Sequence, residues 1–221
     1  GGDYEVVATN LGPRAGVFVA SALMVDYVLT VAVSISSAVA NASSAIPFIG
    51  RHSVALAIAL VILLALGNLR GVRESGTAFA IPTYAFIIAI FSMLIWAAVR
   101  MVRGDTMLAE SAGWEIEPVA NFGGAALVFL VARAFSSGTT ALTGIEAISN
   151  GVPAFQKPKS RNAATTLALL GAIAMTMFGG ITWLAITTKV KVAESTDLLI
   201  GAPPGTEQKT VIAQVAQAVF S

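Results

Sequence analysis

The sequence predicts an all-α, polytopic transmembrane helical bundle with one broken helix, and three observations carry that prediction. Of 221 residues, 56% are hydrophobic and 11% charged, whereas soluble domains carry about 25% charged residues. The charges cluster, leaving several uncharged stretches of the roughly 17–25 residues needed to cross ~30 Å of hydrocarbon. One further apolar stretch is interrupted by glycines and hydroxyl residues from Ser136 to Gly144. So little charge cannot cover this many apolar side chains with a water-soluble surface, so the solvent is lipid. A cytosolic or secreted globular protein is thereby excluded. Disorder is excluded as well, because it requires low hydrophobicity and high net charge, and the net charge is +1. No nucleic-acid partner is expected from such a balance.

Residues 1–14 read as a cytoplasmic segment. They open Gly1-Gly2-Asp3-Tyr4, without Met or a basic, then apolar, leader, so we expect no signal peptide and a fragment of a longer membrane protein. The first span covers about 15–41, with Asp26 its one charge, and a turn is expected from Asn41 to Pro47. The second, 53–69, has Ser53 placed as a helix N-cap and Gly71 just past its end. The third, 77–99, tolerates Pro82 near its start and puts Trp96 near the interface, where indoles concentrate. Residues 101–118 alternate acids, arginine and proline and form a solvated loop. The fourth, 121–151, is broken near 138–144 and carries Arg133 and Glu146. After a turn with Pro153, Pro158 and three cations, the fifth span runs over 163–188, making 15–188 the transmembrane region. Residues 189–221 form an extracytoplasmic loop and the start of a further helix. No fixed-period repeat and no low-complexity linker divides the chain.

Orientation rests on the loop cations. Arg14, Arg70, Arg73, Lys157, Lys159 and Arg161 fall on one side; Arg51, Arg100, Arg103, Lys189, Lys191 and Lys209 fall on the other. The first set lies in short loops close to span ends, where the positive-inside bias acts, so that side is cytoplasmic. The expected location is the cell membrane, multi-pass, with the N-terminal end inside.

Among 13 basic and 12 acidic residues, only Asp26, Arg133 and Glu146 fall inside spans. On a helix, Asp26, Thr30, Ser34, Ser37 and Asn41 share an arc of about 80°, with Tyr27 at its edge. Hydroxyls alone in a membrane helix serve close packing. A carboxylate at membrane depth instead points to function, since it costs several kcal/mol unless paired, hydrated or protonated. The Gly138–Gly144 interruption reads either as a packing kink or as a broken helix lining a cavity, and Glu146 just beyond it favours the cavity. Thr143 and Glu146 are three residues apart and share a face of the second half-helix. Carboxylates, hydroxyls, a phenol and freed carbonyls make an all-oxygen set suited to a hard cation or an ammonium group. Either acid is a candidate carrier of a coupling proton, because a low dielectric disfavours charged carboxylates in general.

Arg133 reads as a structural or vestibule charge, and Lys157–Arg161 as a topology anchor. Gly12/Gly16 and Gly67/Gly71 have the spacing of helix-packing pairs. Zero cysteines and the single His52 exclude disulfides, thiolate zinc sites, iron-sulfur clusters and a histidine-rich metal site. No serine has a His or Lys base in a suitable span position, which removes support for a hydrolase. There is no Walker-type or GxGxxG phosphate loop, so no ATP-driven pump and no organic cofactor is expected.

The string Asp26-Tyr27-Val-Leu-Thr30-Val-Ala-Val-Ser34, with Phe135-Ser-Ser-Gly-Thr-Thr-Ala-Leu-Thr143-Gly-Ile-Glu146-Ala-Ile-Ser-Asn-Gly-Val-Pro153, resembles the amino acid-polyamine-organocation superfamily. Both strings are most similar to its KimA-type potassium-proton symporters. The resemblance implies a partial five-plus-five inverted-repeat fold, helices three to seven, with the Gly1–Pro13 segment preceding the third. It further implies that Asp26, Tyr27, Thr30, Ser34, Thr143 and Glu146 contribute to potassium sites, with Asp26 and Glu146 in proton coupling. Partners so implied are potassium and protons, the bilayer, the missing helices of the full-length chain and a homodimer of the full-length protein. Dimerisation and nucleotide inhibition would rest on a C-terminal region beyond this chain.

The leading expectation is thus a piece of a secondary transporter, not an enzyme, importing potassium with protons. An amino acid or polyamine permease of the same superfamily is the alternative, with an acid meeting a substrate ammonium. A non-transporting scaffold subunit is the second alternative, with the acids paired to a partner's bases.

Overall fold

A computed structural model describes residues 2–69, 72–117, 123–139, 143–193, 195–203 and 205–221. It leaves aside the side chains of 72–75, 77, 78, 139, 143, 145, 146 and 150. The elements are α1 (Asp3–Leu11), α2 (Pro13–Ala45), α3 (Pro47–Arg51), α4 (Ser53–Leu69), α5 (Val72–Val102), β1 (Glu115–Ile116), α6 (Ala125–Thr139), α7 (Thr143–Gly151), α8 (Lys159–Thr187), β2 (Leu199–Ile200) and α9 (Val211–Phe220). Helices dominate because a chain in lipid must satisfy its backbone groups internally. Pro13–Ala45, Phe79–Val102 and Lys159–Thr187 are long and apolar enough to cross a membrane. Ser53–Leu69 and Ala125–Gly138 are shorter apolar helices. The fold is an all-α transmembrane bundle, and Val17, Phe18, Met24, Val28, Phe129 and Phe178 are among the large apolar side chains left uncovered for lipid and neighbouring helices.

Helix ends follow local chemistry. Gly12 adopts φ 93°, a left-handed value open to glycine, and separates α1 from α2. There α1 packs back closely: a Cβ at Gly16 would stand 2.8 Å from that of Ala8. Helix α2 continues through the turn expected from Asn41 and ends at Ala45. Ile46 is extended at φ −132°, ψ 101° before Pro47, as residues preceding proline are, and proline then opens α3 at a position where its missing N–H costs nothing.

The chain divides into two compact units: Gly1–Ser34 with Ala120–Thr176, and Ile35–Val119 with Met177–Ser221. In the first, α7 lies tight on α8, since a Cβ at Gly144 would meet Leu170 Cδ2 at 2.9 Å.

The second unit holds the best-formed core. Ile90, Met93 and Ala97 follow helical spacing along α5 and pack with Met107, Leu184 of α8 and Val215 and Val219 of α9. Gly180 lets α8 approach α5, because a Cβ there would stand 2.6 Å from Leu94 Cδ1. Beyond the helix ends, the 103–117 loop and residues 188–193, 195–203 and 205–210 form a polar platform, joined by the antiparallel pairing of β1 with β2. Ala109 N–H donates to the Thr188 carbonyl at 2.8 Å. Ser111, fully buried, donates to Gln214 Oε1 at 2.5 Å and accepts the Lys191 N–H at 2.8 Å. Gln214 Nε2 donates to the Lys209 carbonyl, and Lys209 pairs with Glu110. Arg100 Nε pairs with Asp105 at 3.2 Å, and its Nη1 donates to the carbonyls of Ala218 and Val219.

Ser111→Ala leaves Gln214 Oε1 and the Lys191 N–H without their shared partner. It is expected to destabilise the full-length protein by about 1–3 kcal/mol, read as a lower thermal unfolding midpoint in detergent.

Candidate functional site

Helix α2 presents Asp26, Thr30 and Ser34 at four-residue intervals on one face, each step rising about 6 Å. Tyr27, 45% exposed, lies beside them and is engaged with a partner, as is Arg133 on α6. Asp26 and Thr30 are half-buried and Ser34 is exposed. Among the described residues Asp26 makes no hydrogen bond or ion pair, and no buried side-chain oxygen or nitrogen lacks a partner. Its carboxylate oxygens are therefore accessible rather than sealed in the packing.

The hydroxyls divide into two groups. A serine or threonine in a helix commonly donates to the carbonyl four residues back. Ser21, Ser44, Thr83 and Thr176 all do so, at 2.7–2.9 Å. Thr30, Ser34 and Ser37 make no such bond among the described residues, so their oxygens remain free for another ligand. Together with Asp26 they form a line of uncommitted oxygens on one helix face, which is the chemistry a dehydrated cation or an ammonium group requires.

Thr143 and Glu146 fall in the first turn of α7, in the same compact unit as Asp26–Ser34. Their side chains lie outside the described residues, as do residues 140–142 between α6 and α7. The structure thus aligns Asp26, Thr30 and Ser34 on one helix, sets Tyr27 alongside, and puts Thr143 and Glu146 at the start of a second. Among the described residues no cluster of three or more His, Cys, Asp or Glu side chains could hold a metal ion.

Asn41, at the far end of the stripe, has a different task. Its Oδ1 accepts the Thr210 hydroxyl at 2.7 Å, and Ser44 Oγ accepts the Thr210 N–H at 3.1 Å. Thr210 Oγ1 in turn accepts the Ala213 N–H and so caps α9. Periodicity alone groups Asn41 with the site residues. The sequence signal for its partner is a threonine immediately before the apolar run Val211–Phe220, the position of an N-cap.

Helices long and apolar enough to cross a membrane, one of them carrying a row of oxygens uncommitted among the described residues, point to a membrane transport protein. The chain belongs to the amino acid permease family, whose model matches residues 1–220. It is also similar to the potassium transporter KimA of Bacillus subtilis (strain 168), with 38% identity over 220 residues. That alignment takes in the whole chain but 33% of the relative, so the chain spans about a third of its length. No solved structure matches the chain significantly.

Two kinds of polar residue on α2 respond differently to substitution. A double-mutant cycle of Asn41→Ala with Thr210→Val is expected to show a coupling of about 1 kcal/mol in unfolding of the full-length protein. Ser37→Ala, which breaks no hydrogen bond among the described residues, is expected to stay within about 0.5 kcal/mol of wild type.

Proposed function

We propose that the full-length protein imports potassium together with protons, and that this chain supplies part of the ion pathway. The observation that carries the reading is the accessible Asp26, without a partner among the described residues, in line with the hydroxyls of Thr30 and Ser34, uncommitted among those same residues. Tyr27, Thr143 and Glu146 complete the ligand set, with potassium held by oxygen throughout and Asp26 and Glu146 exchanging the coupling proton. Support comes from the similarity to KimA, a potassium transporter. The missing helices of the five-plus-five repeat would supply further ligands, and the assembled protein would be a homodimer. The N-terminal end lies in the cytoplasm in this reading, as the Arg14 and Lys157–Arg161 cations favour. The platform around Ser111 and Gln214 then faces outward.

One observation favours a second reading: the matching family model is described as an amino acid permease. In that case an amino acid or polyamine ammonium takes the place of the metal ion against Asp26 or Glu146.

Uptake by the full-length protein in cells lacking potassium importers separates the two. Wild type is expected to restore growth on low potassium. Asp26→Asn and Glu146→Gln each remove a charged ligand, a loss of about 1.5–3 kcal/mol, and should weaken apparent potassium affinity tenfold or more at roughly 1.4 kcal/mol per decade. Failure to restore growth alongside uptake of labelled amino acids supports the permease. Normal transport by both variants removes these two acids from the site under either reading.

A further inference from the structure

The turn joining α7 to α8 carries Lys157, Lys159 and Arg161, three cations within five residues, all exposed. No acidic residue occurs in the sequence from Ala147 to Ala193. None of the three forms an ion pair among the described residues, unlike Arg100 with Asp105 and Lys209 with Glu110. Among the described residues no acidic side chain compensates the positive charge of this turn.

The turn is also ordered. Val152–Ala154 form a single 3-10 turn, and Phe155 N–H donates to the Val152 carbonyl at 3.2 Å. Lys159 Nζ donates to the Pro153 carbonyl at 2.5 Å, and Asn162 Nδ2 donates to the Gln156 carbonyl at 3.0 Å. Asn162 N–H closes the first turn of α8 on the Pro158 carbonyl at 3.1 Å. A sidedness signal needs only the number of cations near a span end. Here both flanks of the cluster are tied to backbone carbonyls, which holds the charges together and lowers the entropy lost when a ligand engages them. Lys159 keeps further N–H donors beyond the one it gives to Pro153.

Position selects the ligand. Helix α8 starts at Lys159 and is one of the helices long enough to cross the membrane, so the cluster lies at the level of the lipid headgroups. Juxtamembrane Lys and Arg attract anionic lipid at about 1 kcal/mol per residue. A phosphatidylcholine headgroup is zwitterionic, its ammonium offsetting its own phosphate, so it brings no net negative charge to the three cations and is disfavoured against a headgroup with phosphate alone.

We infer that the 152–162 turn is a binding site for the phosphate headgroups of anionic phospholipids. The test uses the full-length protein, purified in detergent so that sidedness in the cell has no bearing, and equilibrated with phosphatidylglycerol or phosphatidylcholine. Bound lipid is counted by native mass spectrometry. Wild type should retain phosphatidylglycerol preferentially, and the preference should fall as salt is raised. Each of Lys157→Gln, Lys159→Gln and Arg161→Gln should weaken that retention about fivefold, and the triple variant on the order of a hundredfold. Lys157→Arg with Lys159→Arg, which keeps the charge, should retain it. Equal retention of both lipids by wild type overturns the inference, and this measurement needs no variant to fold. Wild-type preference persisting in the triple variant, or in Lys157→Gln alone should the triple variant not fold, overturns it equally.

Discussion

A hydrocarbon layer tolerates neither unpaired backbone groups nor unpaired charge, and that intolerance governs the whole arrangement. It forces the backbone into long helices such as α2, α5 and α8. It singles out Asp26, Arg133 and Glu146, the charges that the sequence sets within apolar stretches, as the exceptions that need explanation. The same pressure shows in the small groups. Several span hydroxyls return their proton to the helix carbonyl four residues back, and against that background the uncommitted Thr30 and Ser34 stand out beside Asp26.

Outside the apolar layer the chemistry changes. The platform of the second unit is held by side chains that each serve two partners: Ser111 between Gln214 and the Lys191 N–H, and Thr210 between α2 and its own helix. Buried polar groups of this kind are expensive when unpaired, so the loops they join are held to one geometry. The apolar cluster of α5, α8 and α9 lies directly beneath them. Order in the second unit thus comes from a small core sealed by a polar network. In the first it comes from close helix approach at Gly16 and Gly144.

Much of this was legible from composition and spacing. An 11% charged chain reads as a membrane bundle from arithmetic alone, and the strings Asp26–Ser34 and Phe135–Pro153 carry a family resemblance that agrees with the family match over residues 1–220. The Asp26–Ser34 face is a matter of helical period and needs no tertiary information. Other features were not legible. Nothing in the spacing of Ser111, Gln214 and Lys191 announces that they meet, since the first two are 103 residues apart. The polar residues of α2 from Asn41 onward read as a turn in the sequence. The helix instead persists to Ala45, because Asn41 and Ser44 spend their hydrogen bonds on carbonyls of their own helix and on Thr210.

Sequence by itself determined the solvent, the secondary structure and the family of this protein, along with the residues that share a face of α2. Those properties depend on composition and on periods of a few residues, which the order of amino acids states directly. Tertiary structure alone decided which of the equivalent-looking polar groups are committed. Asn41 is bound to Thr210, while Asp26, Thr30 and Ser34 keep their oxygens available. Whether a hydrogen-bonding group is satisfied depends on what lies within about 3 Å of it, and that is a property of packing rather than of spacing.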